Sequence, residues 1–129
     1  MGFSRATLAA LRIALVVALL AISILAFTSH EIPLIDELYD KLKHAAAFAT
    51  LALLLDFSFP ASRFGLAKIL LLLGYGVFIE VVQHFLPHRE ASAWDVFADG
   101  VGIAAYMLSV PALKRMRWFR LRWQPGAPP

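Results

Sequence analysis

The chain has 129 residues, of which 60% are hydrophobic and only 16% charged. A soluble domain carries roughly 25% charged residues, so the deficit argues against a water-facing exterior and for one that faces lipid. There is no cysteine, which excludes disulfides, thiolate chemistry and cysteine metal sites. The net charge of +3 is concentrated in one C-terminal run and does not by itself point to nucleic acid.

Four apolar segments follow in chain order. The first runs from Leu8 to Phe27 and is interrupted only by Arg12. Arg5 and Arg12 before an apolar run suit a signal peptide, but the run is long and no clean small-x-small cleavage site follows, so it reads as a retained span. The second runs from Lys43 to Phe59. Its uncharged stretch, Ala45 to Leu55, is short, and the helix must begin near Leu38 to reach the roughly 20 residues that a bilayer core requires. The third runs from Leu66 to Leu86 and carries Glu80, Gln83 and His84 near its end. The fourth runs from Trp94 to Leu113, with Asp95 and Asp99 near its start. Period-2 alternation is absent, which argues against strands.

The expectation is therefore an all-α integral membrane bundle of about four transmembrane helices, formed by one domain over residues 1–123 with a disordered tail over 124–129. Pro33, the Pro60-Ala61-Ser62 stretch and Pro87 mark the breaks, and Pro111 falls where it can kink the last helix. Trp94, Trp118, Phe119 and Trp123 read as interfacial anchors.

Four spans place both termini on one side. That side carries Arg5, Arg12, Arg63, Lys68, Lys114, Arg115, Arg117, Arg120 and Arg122, against Lys41, Lys43 and Arg89 on the other. The positive-inside rule then makes both termini cytoplasmic, in a plasma or inner membrane. The Lys114–Arg122 run is a topology determinant and an anionic-lipid contact, and Arg12 snorkels to the inner interface.

This orientation gathers Asp40, Lys41, His44, Glu80, Gln83, His84, His88, Arg89, Asp95 and Asp99 at the outer end, with Asp56 at the other. An ionised group deep in a span costs about 2.5–3.5 kcal/mol on insertion scales, so such groups face the bundle interior and pair with one another. Asp40 and His44 share a helix face, as do Glu80, Gln83 and His84, and as do Asp95 and Asp99. Gly74, Gly76, Gly100 and Gly102 allow close helix approach, although Gly74, Gly76 and Glu80 cannot all serve one neighbour.

The ordered set Asp40-Lys41-x-x-His44, Glu80-x-x-Gln83-x-Phe85, Arg89 and Asp95-x-x-x-Asp99-Gly100 resembles the VanZ-like family, over roughly Asp36 to Tyr106. The resemblance implies a small multi-span membrane protein. It also implies an association with the cell envelope and with glycopeptide resistance, teicoplanin being the glycopeptide linked to the founding member. Asp99 departs from the asparagine frequent in the family, which adds a negative charge where a neutral hydrogen-bonding group would stand.

The resulting expectation is a binding protein. Asp40, Lys41, His44, Glu80, Gln83, Arg89, Asp95 and Asp99 form an outward pocket for an envelope lipid, a lipid-linked glycan or a glycopeptide. Lys41 and Arg89 would hold an anionic head. An enzyme acting on a lipid-linked substrate is the alternative, with Glu80 or His84 as general base and Arg89 steadying a phosphate. A structural accessory of another membrane protein, or a homo-oligomer, is a third arrangement. No cofactor is expected. The histidines and carboxylates lack a compact ligand motif, so no metal is expected either. A transporter is disfavoured, because the polar groups do not extend across the bundle.

Overall fold

A computed structural model describes residues 2–28, 37–87 and 92–124. Four α-helices make up the bundle: α1 (Arg5–Thr28), α2 (Glu37–Ser58), α3 (Leu66–His84) and α4 (Ala93–Leu113), followed by a short 3-10 helix, Phe119–Trp123. Among the described residues there is no strand. The helix bounds follow the four apolar segments, and α2 begins inside the charged stretch, at Glu37. Pro33 and the 125–129 part of the tail lie outside the described residues.

The helices alternate in direction. Arg12 near the start of α1 donates to the carbonyl of Ser58 at the end of α2, 3.1 Å away, while Gln83 near the end of α3 donates to the carbonyl of Ala26 near the end of α1, 2.9 Å away. The starts of α2 and α4 meet through Lys41 and Asp95. Antiparallel neighbours of this kind follow from short connections.

Three helices, α1, α3 and α4, are long and apolar enough to cross a membrane. Their outer faces are apolar: Ile13, Val17, Leu20 and Ile24 on α1, Leu71 and Phe78 on α3, and Phe97, Val101 and Leu108 on α4 are all exposed. Continuous apolar exposure of this extent marks a lipid-facing surface. The helix α2 is as long, at 22 residues, and it packs against each of the other three. Phe48, Leu51, Ala52 and Phe57 are buried there.

Glycine sets the closest approach. A Cβ on Gly102 of α4 would fall on the backbone carbonyl of Ala45 in α2, and one on Gly76 of α3 would lie 2.5 Å from a carboxylate oxygen of Asp99. Gly74 has nothing within 4 Å of the same position, so the α3 glycines do serve different surroundings. A second polar link joins α1 to α3: the Tyr75 hydroxyl donates to the Leu19 carbonyl at 3.0 Å. With its only proton so used, it accepts from Ser23 Oγ at 2.6 Å.

Candidate ligand-binding site

Two buried polar clusters occupy opposite ends of the bundle. At the first, Lys41 on α2 forms an ion pair with Asp95 on α4 and lies 3.6 Å from Asp40. One turn along α2, His44 Nδ1 is 2.8 Å from Asp99 Oδ1, and its Nε2 is 3.8 Å from Asp95 Oδ2. The i, i+4 spacing of Asp95 and Asp99 thus grips the α2 positions 41 and 44, at the helix pair whose backbones Gly102 brings close. Asp95 and Asp99 are 3% and 1% exposed.

Glu80 and Gln83 are also buried, on the α3 face turned to the same end. Glu80 Oε2 accepts the backbone N–H of Ser92 at 2.9 Å, while Ser92 caps α4 by accepting the N–H of Trp94 at 3.2 Å. Glu80 therefore ties the end of α3 to the start of α4. His84 does not join this cluster. It is exposed, with its ring edge-to-face on Phe85. His88 and Arg89 lie outside the described residues.

A cleft of about 470 Å³ opens beside this cluster, between α1, α2 and α3. Ile22 and Leu25 of α1, Ala47 and Phe48 of α2, and Ile79 of α3 form its apolar wall, while Asp40, Lys43, His44 and Gln83 form its polar end. The helix α1 supplied no candidate site residue from the sequence, yet it makes one side of this cleft. Lys41, Glu80, Asp95 and Asp99 do not line the cleft; Asp99 sits behind His44, and Asp95 holds Lys41. The ammonium that faces the cleft is that of Lys43, which is mostly exposed and 3.8 Å from Asp40. Asp40, His44 and Asp95 could each offer one ligand atom to a metal ion, the three atoms lying within 4.8 Å of one another. The Lys41 ammonium already pairs with two of those carboxylates, and supplies the positive charge a cation would bring.

The second cluster centres on Asp56 of α2. Its Oδ1 accepts from Lys68 Nζ at 2.9 Å and from Arg122 Nη2 at 2.7 Å. Its Oδ2 accepts from the Tyr106 hydroxyl at 2.5 Å. Lys68 also donates to the carbonyls of Phe59 and Ser62, and Arg122 to those of Pro60 and Ser62. The turn between α2 and α3 is thus folded with its carbonyls towards two cations. Phe57 stacks on Trp118 and meets Phe119 and Trp123 edge-on, with Phe3 beside them.

This arrangement gives a structural role to residues read from the sequence as topology determinants and interfacial anchors. Lys68 and Arg122, counted with the cytoplasmic-side cations, are 6% and 5% exposed and pair with the buried carboxylate of Asp56. The aromatic residues of the tail close the end of the bundle as well as meeting its surroundings. Arg12, read as snorkelling, also bonds the end of α2 and lies over the Phe59 ring at 5.1 Å. Between the two clusters lie Phe48, Leu51 and Ala52, each 1% exposed or less. His44 and Asp56 are 12 residues apart on α2, or about 18 Å at 1.5 Å per residue.

The profile of a protein family described as VanZ/LLP1 matches residues 11–114. No curated protein and no solved structure matches the chain.

Proposed function

This chain belongs to the VanZ/LLP1 family, and on that premise we propose that it is a binding protein for an amphiphile of the cell envelope: a lipid, a lipid-linked glycan or an acylated glycopeptide. It sits as a multi-pass protein in the plasma or inner membrane, with both termini cytoplasmic and the Lys41–Asp95 end outward. The single observation that carries the reading is the cleft, which offers an apolar wall from α1, α2 and α3 and a polar end made by Asp40, Lys43, His44 and Gln83. Ligand sites are mostly apolar concavities with a few placed polar groups, and an acyl or isoprenoid chain below a polar head has that distribution.

Filling the cleft tests the proposal. Leu25 lines it and is 62% exposed, so Leu25→Trp narrows the cleft without entering the core. Native mass spectrometry of the detergent-purified protein, titrated with a dioleoyl phospholipid, should show retention falling about tenfold, which is 1.4 kcal/mol of affinity. An equal retention by Leu25→Trp and the parent, at equal thermal stability, contradicts the proposal.

A membrane-embedded enzyme is the second reading, and one observation favours it. His44 lines the cleft with its imidazole held by Asp99 and flanked by Asp95, as a general base is held by an orienting carboxylate. Of the candidate bases, His44 lines the cleft, whereas Glu80 and His84 do not. Turnover of a labelled envelope lipid by the purified protein, abolished in His44→Gln, would establish catalysis in place of simple binding.

A further inference from the structure

The C-terminal basic run is not a uniform strip of surface charge. After α4 ends at Leu113, the chain turns back onto the Asp56 end of the bundle. Arg122 points inward, to Asp56 and to the carbonyls of Pro60 and Ser62. Phe119, Leu121 and Trp123 pack against the core, and the Lys114 ammonium lies over the Trp123 ring at 5.4 Å. The segment is thus pinned where α4, a helix apolar enough to cross a membrane, comes to its end.

Two guanidinium groups are left over. Arg117 and Arg120 are exposed and have no ion pair or side-chain hydrogen bond among the described residues. Both line one concavity of about 470 Å³, together with Trp118, Leu121 and Gln124. The charge around it is one-sided. Among the described residues Asp56 is the only carboxylate side chain at this end, and it is buried and already paired with Lys68 and Arg122.

The chemistry of these walls indicates the occupant. A guanidinium presents a planar fork of donors that fits phosphate oxygens in pairs. Trp118 is 47% exposed and Met116 50% exposed beside the two arginines, and tryptophan at the end of a span sits at the headgroup level of a bilayer. An anion held at that level is one attached to acyl chains. We infer that Arg117 and Arg120, with Trp118, form a binding site for the phosphate of an anionic phospholipid, at the end of the bundle opposite the cleft. Arg63 and Arg115 are exposed but do not line the concavity, so they add to the general attraction and stand outside the site. A zwitterionic lipid also carries a phosphate, but its own cation offsets the charge that the two arginines read.

The test compares dioleoyl phosphatidylglycerol with dioleoyl phosphatidylcholine, which share chains and phosphate and differ in net charge. Each is titrated into the delipidated protein in detergent, and bound lipid is counted by native mass spectrometry. The anionic lipid should bind about tenfold or more tightly, and Arg117→Gln combined with Arg120→Gln should remove that preference. Arg63→Gln combined with Arg115→Gln takes away the same two charges from outside the concavity and should leave most of it. An equal loss in the two double variants would reduce the site to diffuse attraction and overturn the inference. The cleft is a separate place for a phospholipid, so the comparison is repeated in Leu25→Trp, where the preference should persist. Its disappearance there would assign the selectivity to the cleft and overturn the inference. Equal binding of the two lipids by the parent would also overturn it, while leaving the cleft reading intact. Glycerophosphoglycerol, which lacks the chains, and a polyglutamate peptide should not displace the bound lipid. Displacement by either would move the site to a soluble anion or an acidic partner and overturn the lipid assignment.

Discussion

Asp56→Ala should destabilise the bundle by about 3–5 kcal/mol, the cost of removing one partner from a buried ion pair. The size of the effect follows from what the carboxylate holds. Two cations, Lys68 and Arg122, and the Tyr106 hydroxyl all converge on it. Without it, both cations remain buried with no countercharge, held by backbone carbonyls and, for Arg122, the Trp123 ring. Local collapse would also free the 3-10 segment, because Arg122 joins that segment to α2 and to the α2–α3 turn. Replacing all three ionisable groups together, as Asp56→Leu, Lys68→Met and Arg122→Met, should recover only part of the loss. The apolar replacements remove the stranded charges, but the carbonyls of Phe59, Pro60 and Ser62 then lack donors. Denaturant unfolding of the purified protein in micelles measures this directly. A change of less than about 0.5 kcal/mol on Asp56→Ala, the size of an ordinary surface substitution, would show that the cluster is solvated and not a clasp.

Gly102→Leu should be of comparable severity and Gly102→Ala somewhat milder, since overpacking costs about 1–3 kcal/mol and occasionally more. The obstacle is the backbone of Ala45, which cannot swing aside as a side chain can. The pair α2 and α4 would have to separate. That separation would pull Lys41 from Asp95 and His44 from Asp99, so ligand binding should be lost along with stability. Gly74→Ala is the matched control. It faces open space, and alanine is about 0.8–1.0 kcal/mol better than glycine inside a helix, so it should be neutral or stabilising. Equal thermal stability of Gly102→Ala and Gly74→Ala would contradict the close crossing of α2 and α4.

The helices were legible because lipid imposes a strong rule: a span must be long, apolar and helical. The entry of α2 at Glu37 was legible for the same reason, since its apolar stretch alone falls short of a span. The set at the Lys41 end was legible because charges within apolar segments stand out and helical spacing places them on shared faces. His84 escapes this logic, because i+4 spacing from Glu80 allows either a shared face or a rotation just past it, and the exposed position results. The Asp56 cluster was not legible. Lys68 and Arg122 sit near segment ends, where a cation is normally explained by topology, and Tyr106 is 50 residues from its partner. The signal that pointed to them was Asp56 itself, an acid deep in an apolar run that required a countercharge. The place of α1 in the cleft was hidden too, because its wall residues, Ile22 and Leu25, have the same chemistry as those facing lipid.

The central claim is that an amphiphile lies in the cleft between α1, α2 and α3, and the most direct test is to find where a bound lipid touches the chain. A phospholipid with a photoreactive acyl chain can be crosslinked to the protein in liposomes and the labelled residues located by mass spectrometry. Specific occupancy predicts labelling concentrated at Ile22, Ala47 and Ile79 that is suppressed in Leu25→Trp. Labelling spread evenly over the outer residues Ile13, Leu71 and Leu108, with none on the cleft wall, would contradict it.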